Sequence, residues 1–87
     1  MAETFLRDIL KKYPISDKEY QTGIMDYIEN GELEIAFEGA FLWYVKNKIE
    51  FSKKEKDKIL ACGHALDLDK ARVVDDTSWQ QFVAAFS

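Results

Sequence analysis

Apolar positions along this chain of 87 residues recur at helical intervals, and nowhere do they alternate for the length of a useful strand. Phe5, Leu6, Ile9 and Leu10 make one stripe over residues 3–12, the rhythm of a short amphipathic helix. Tyr13-Pro14 ends it, because proline disfavours the α conformation of the residue before it. A second helix is predicted from Ser16, where Ser16 and Glu19 form an S-x-x-E capping box. It carries Tyr20, Ile24, Tyr27 and Ile28 on one side and stops at Asn30-Gly31, since glycine enters the left-handed conformation without steric cost. The third helix, 32–48, has the longest stripe: Leu33, Ala36, Phe37, Ala40, Phe41, Tyr44 and Val45. Leu42 and Trp43 widen that stripe, which predicts a central helix touched on more than one side. Gly39 inside it costs about 1 kcal/mol against alanine and predicts the close approach of another helix.

Ser52 and Glu55 repeat the capping-box signature for a fourth helix, with Ile59, Leu60, Gly63 and Leu66 facing inward. Lys53, Lys54, Lys56 and Lys58 crowd its first half, against the preference of the helix dipole for acids there; Glu55 and Asp57 offset part of this. After Leu68 the pattern weakens. Val73-Val74 reads as an apolar pair in a loop or turn. Asp76 or Thr77 can cap a last helix bearing Trp79, Phe82, Val83 and Phe86. The expected fold is all-α: a single domain, 1–87, built as a compact bundle of four to five short helices. Repeats, linkers and low-complexity segments are lacking.

Composition narrows the function. An apolar share of 47% suits a globular domain. The single cysteine, Cys62, excludes an intrachain disulfide and fits a reducing, cytoplasmic setting. MAETFLRDIL has neither the basic lead nor the long apolar run of a secretory signal. The best apolar run, residues 40–45, is far short of the roughly 18 residues a bilayer requires, so no membrane association is expected. The net charge of −4 argues against direct nucleic-acid binding, because phosphates repel it.

Charge is distributed unevenly. Residues 17–38 hold seven acids (Asp17, Glu19, Asp26, Glu29, Glu32, Glu34, Glu38) against Lys18 alone, a net −6 and more negative than the whole chain. Asp26 and Glu29 are three apart and Glu34 and Glu38 four apart, so each pair shares a helix face. A solvated face is the ordinary explanation of such acids, and a surface for a basic partner is the sharper one. For the cluster as a whole, partner binding by Asp26, Glu29, Glu32, Glu34 and Glu38 is the expectation. Residues 46–58 carry six lysines against Glu50, Glu55 and Asp57, a net +3 that suits a solvated face or a counter-patch.

Catalytic chemistry finds little material. Cys62 and His64 are two ligands where a structural zinc site needs four, and two residues apart on a helix they point to different faces, which defeats a nucleophile–base pair. Asp67, Asp69, Asp75 and Asp76 lie in DLDKARVVDD, which lacks the glycine and closing glutamate of a calcium loop. Capping and solvation account for them. No metal, no cofactor and no enzymatic activity are expected. Tyr20, Tyr27, Trp43, Tyr44 and Trp79 are mostly core by spacing, with one or two of them flanking the acidic patch as interface anchors.

Residues 27–69 carry a further pattern, a "YI..GE...A.E" turn and helix followed by an Ile-x-(aromatic or Pro)-Ser segment and "E...I...G..L.LD". It runs through Tyr27, Ile28, Gly31, Glu32, Ala36 and Glu38, then Ile49, Ser52, Glu55, Ile59, Gly63, Leu66, Leu68 and Asp69. In these residues the chain resembles the small immunity proteins of the Maf and contact-dependent growth-inhibition (CDI) toxin systems of bacteria. The resemblance covers about half of the chain, and Trp43-Tyr44 and the lysine run depart from it. It implies a non-enzymatic antitoxin that binds the C-terminal toxin domain of its partner, often a basic nuclease, and covers the active-site surface. Monomer and weak dimer both remain open. The alternative is a helical adaptor or regulatory module that binds a protein unrelated to toxins.

Overall fold

The computed structural model describes residues 1–68 and 77–86. Among these residues it contains five helices and no strand: α1 (Ala2–Lys12), α2 (Lys18–Glu29), α3 (Leu33–Lys46), α4 (Lys53–Ala65) and α5 (Thr77–Phe86). The expected all-α bundle is therefore what the chain forms. Val73-Val74, Asp69, Asp75 and Asp76 lie outside the described residues.

α3 is the centre. Ala36, Phe37, Ala40, Phe41 and Tyr44 are buried along it, Leu42, Trp43 and Val45 are half-buried, and α2 and α5 pack against it. The predicted two-sided contact is present. Phe41 is ringed by Phe37, Tyr44, Phe51, Phe82 and Phe86 at centroid separations of 4.6–6.4 Å, mostly in the tilted or edge-on geometries that aromatic quadrupoles favour. Leu6 and Ile59 complete the fully buried set from α1 and α4.

Gly39 shows the predicted close approach. A β-carbon there would lie 2.9 Å from Ile24 Cδ1 of α2, and the Gly39 carbonyl accepts a 2.7 Å hydrogen bond from the Tyr20 hydroxyl. Gly63 plays the same part in α4, where a β-carbon would lie 2.9 Å from Trp79 Cζ3 of α5.

Two local expectations are corrected. The cap of α2 is Asp17, whose carboxylate accepts from Tyr20 N at 3.1 Å, so the Ser16–Glu19 capping box does not form. Ser16 lies one residue too early, because Ile15 is buried and its amide is fixed at 2.7 Å by the Gln21 side chain. The capping box at Ser52–Glu55 forms as expected. α3 stops at Lys46 instead of reaching residue 48, because Lys48 turns left-handed (φ 54°). Lys48 N then bonds to Val45 O and Ile49 N to Tyr44 O, each at 3.1 Å. This is the Schellman closure that satisfies a helix's last carbonyls. The same pair of bonds closes α2 at Gly31 (φ 76°) and α4 at Asp67 (φ 61°).

Candidate partner-binding surface

The α2–α3 hairpin carries all five of the acids expected to bind a partner. Asp26, Glu29, Glu32 and Glu34 are exposed, and Glu38 is half-buried. They do not form one contiguous set. Glu29 ends α2, where the helix dipole disfavours an acid and where the last turn supplies no cation. Arg7 of α1 compensates from 3.8 Å while also bonding Glu3 at 3.0 Å. Glu29 therefore belongs to the α1 side of the hairpin. Glu32 holds the N-cap position of α3 without a side-chain cap bond, and Glu34 sits in the first turn, where the dipole favours it.

Glu38 faces the other way, into a groove of about 340 Å3 between α2 and α3, with Tyr20, Gly23, Tyr27, Ile35 and Gly39 along its walls and floor. Spacing places the five aromatics Tyr20, Tyr27, Trp43, Tyr44 and Trp79 mostly in the core with one or two beside the acidic patch, and Tyr20 and Tyr27 are the exposed pair. They are 38% and 41% exposed, and Ile35 is 41% exposed. The spacing of the tyrosines does place them on the α3 side of α2, where the Gly39 carbonyl meets the Tyr20 hydroxyl and Leu42 and Trp43 of α3 line a second depression beside the same tyrosine. Gly39 lets the helices meet while leaving the rings at the rim. The Tyr20 hydroxyl is held by the Gly39 carbonyl, and its partial burial raises its pKa. Tyr44, by contrast, is fully buried, with its hydroxyl donating to the Tyr13 carbonyl at 2.6 Å. Trp43 and Trp79 are half-buried.

Two residues of this groove escaped the sequence reading. Ile35 lies off the apolar stripe of α3, and an off-stripe isoleucine is itself a sign of an uncovered apolar surface. Gly23 sits in mid-helix among residues that explain nothing about it: apart from its chain neighbours and its own helix's backbone, no atom lies within 4 Å of where its β-carbon would be.

The remaining candidates resolve into structure. Cys62 is half-buried, and burial raises its thiol pKa, the opposite of what activates a nucleophile. His64 is exposed on α4 and stacks on Trp79, with centroids 6.1 Å apart. Among the described residues no three His, Cys, Asp or Glu side chains come together to hold a metal ion, and no helix is long and apolar enough to cross a membrane. The lysines of α4 are dispersed in their contacts: Lys53 pairs with Asp57 at 3.5 Å, and Lys58 lies over the Phe5 ring at 5.2 Å. No protein-family model, curated protein or solved structure matches this chain.

Proposed function

We propose that this protein is an immunity protein, a non-enzymatic antitoxin that binds a basic toxin domain, a nuclease, and covers its active-site surface. The observation that carries this reading is the stretch 17–38, which runs from the cap of α2 to the middle of α3, has a net charge of −6 in a chain of −4, and holds Asp26, Glu29, Glu32 and Glu34 at the surface. A nuclease must attract phosphate and is therefore cationic where it works. An acidic face meets that surface with complementary potential, speeding encounter and fixing orientation. The resemblance of residues 27–69 to Maf and CDI immunity proteins supports the same partner class. In this reading the protein acts in the cytoplasm, without metal or cofactor.

The test is direct. The tagged protein is mixed with the product of the gene immediately upstream, and cleavage of RNA and DNA by that product is followed with and without it. Tight association that abolishes cleavage is expected. Absence of both association and nuclease activity would overturn the reading in favour of a helical adaptor.

A further inference from the structure

Gly23 is a cost that the folded chain does not recover. A glycine in mid-helix loses about 1 kcal/mol against alanine. Elsewhere in this protein that loss has a visible return: Gly39 and Gly63 each admit a neighbouring side chain to 2.9 Å of the missing β-carbon. At Gly23 the corresponding space is open. It forms the floor of the groove walled by Tyr20, Tyr27, Ile35 and Glu38. The groove's volume, about 340 Å3, is at the lower end of the range over which proteins hold ligands, about 300–1,000 Å3.

The groove also has a charge. Glu38 lines it directly. Glu19 and Asp26 lie four and three residues either side of Gly23 and thus flank it on the same helix face. Tyr20, pinned to Gly39, presents a fixed ring, so little side-chain entropy remains to be lost on contact. An apolar floor between acidic edges selects an apolar side chain that arrives between cations.

We infer that the α2–α3 groove is a docking site for a helix of a basic partner protein, which sets one large apolar side chain over Gly23 and flanks it with lysine or arginine. Two parallel walls of side chains from neighbouring helices form the kind of furrow that accepts a third helix. The inference rests on the immunity-protein reading for its natural partner and assigns the anchoring to this groove, with Glu29 and its neighbours on the α1 side steering at longer range.

The test uses Gly23→Leu. Leucine restores helix propensity and so preserves the fold, while its side chain fills the floor. Two probes are used: the product of the upstream gene, and a synthetic amphipathic peptide with leucines on one helical face and lysines on the rest. Backbone amide NMR reports where each binds. The expected results are shifts at Gly23 and Gly39 with both probes, and a loss of affinity of at least about tenfold in Gly23→Leu. A peptide with glutamate in place of lysine should leave those amides unmoved. If the upstream product binds Gly23→Leu as tightly as the unaltered protein, the groove assignment is overturned while the immunity reading stands. If the upstream product does not bind at all, the immunity reading falls and the leucine–lysine peptide decides the groove: shifts at Gly23 and Gly39 sustain it, and their absence ends it. Shifts of the same amides on simple dilution of the protein would assign the groove to a second copy of this chain and overturn the inference.

Discussion

Glu55 ties the start of α4 to the end of α1, and its ionisation should govern acid stability. Its Oε1 accepts from the Ser52 amide at 2.8 Å and the Tyr13 hydroxyl at 2.9 Å, and its Oε2 accepts from Lys12 Nζ at 3.0 Å. Tyr13 in turn receives the Tyr44 hydroxyl on its carbonyl, so the network reaches the core. The Ser52 backbone donor, followed by Lys12 and Tyr13, holds the carboxyl well below its ordinary 4.5, at about 2, against the opposing effect of burial. Taken whole, that difference is worth on the order of 3 kcal/mol by proton linkage. The Glu55 side chain is 15% exposed and that of Lys12 65%, so solvent screening reduces the ion-pair part, leaving about 2 kcal/mol. Because the folded pKa lies below the unfolded one, this contribution is present above about pH 4.5 and is lost as pH falls towards about 2. Glu55→Gln keeps an acceptor for Ser52 and removes the charge. Urea unfolding followed by helical circular dichroism should place the variant about 2 kcal/mol below the unaltered protein at neutral pH, with the gap narrowing below about pH 4.5 and closing as pH falls through about 2. A gap that is absent at neutral pH, or that persists unchanged in acid, would refute the linkage.

Other perturbations separate backbone, packing and charge. Lys48→Gly relieves a left-handed lysine at the end of α3 and should raise stability by up to about 1 kcal/mol, read as a higher midpoint in the same urea titration. Gly63→Ala drives a methyl against the rigid Trp79 ring and should cost about 1–2 kcal/mol. Gly39→Ala crowds the movable tip of Ile24 and makes ordinary contact with the Tyr20 hydroxyl, so packing and propensity nearly cancel; equal losses at the two sites would contradict this distinction. Reversing Glu34 and Glu38 together to lysine should leave the helical spectrum intact and slow association with the proposed basic partner at low salt, by roughly tenfold in the rate constant, while an unchanged rate would exclude that side of the hairpin.

Much of the fold was legible because helices report their inward face through a period close to the α-helical turn. The stripes of α1, α3 and α4, the Ser52–Glu55 box, the stop at Gly31 and the approach at Gly39 all follow from local spacing. What spacing could not reveal was how wide a neighbour's cover would be. Tyr20 and Tyr27 occupy the correct side of α2 and still reach solvent, with Gly39 of α3 beside the Tyr20 hydroxyl. Nor does period act in loops: Ile15 and Phe51 are buried between helices, and no stripe marks them. The Glu55 network joins residues 42 and 43 positions apart, beyond any local pattern. In the candidate surface the acids were visible as a cluster, but only the backbone geometry divides Glu29, turned to Arg7, from Glu38, turned into the groove.

Burial is shared unequally between the two helices of the hairpin. α3 buries five residues, three of them aromatic, whereas α2 buries only Ile24 and Ile28. At about 1.5–3 kcal/mol for each buried isoleucine, α2 is anchored by some 3–6 kcal/mol, against which stand the cost of Gly23 and a C-terminus that draws its cation from α1. α2 should therefore open locally at a lower free energy than the helix it packs on. Amide hydrogen exchange checks this: the interior amides of α3 should exchange with the free energy of global unfolding, and those of α2 at least about 1–2 kcal/mol more easily. A partner seated in the groove adds contacts to α2 alone among the weakly held elements, so its binding should protect α2 more than α3. Equal protection in the free protein would mean that α2 is held by interactions outside the two isoleucines, and the open space at Gly23 would then need a structural explanation in place of a functional one.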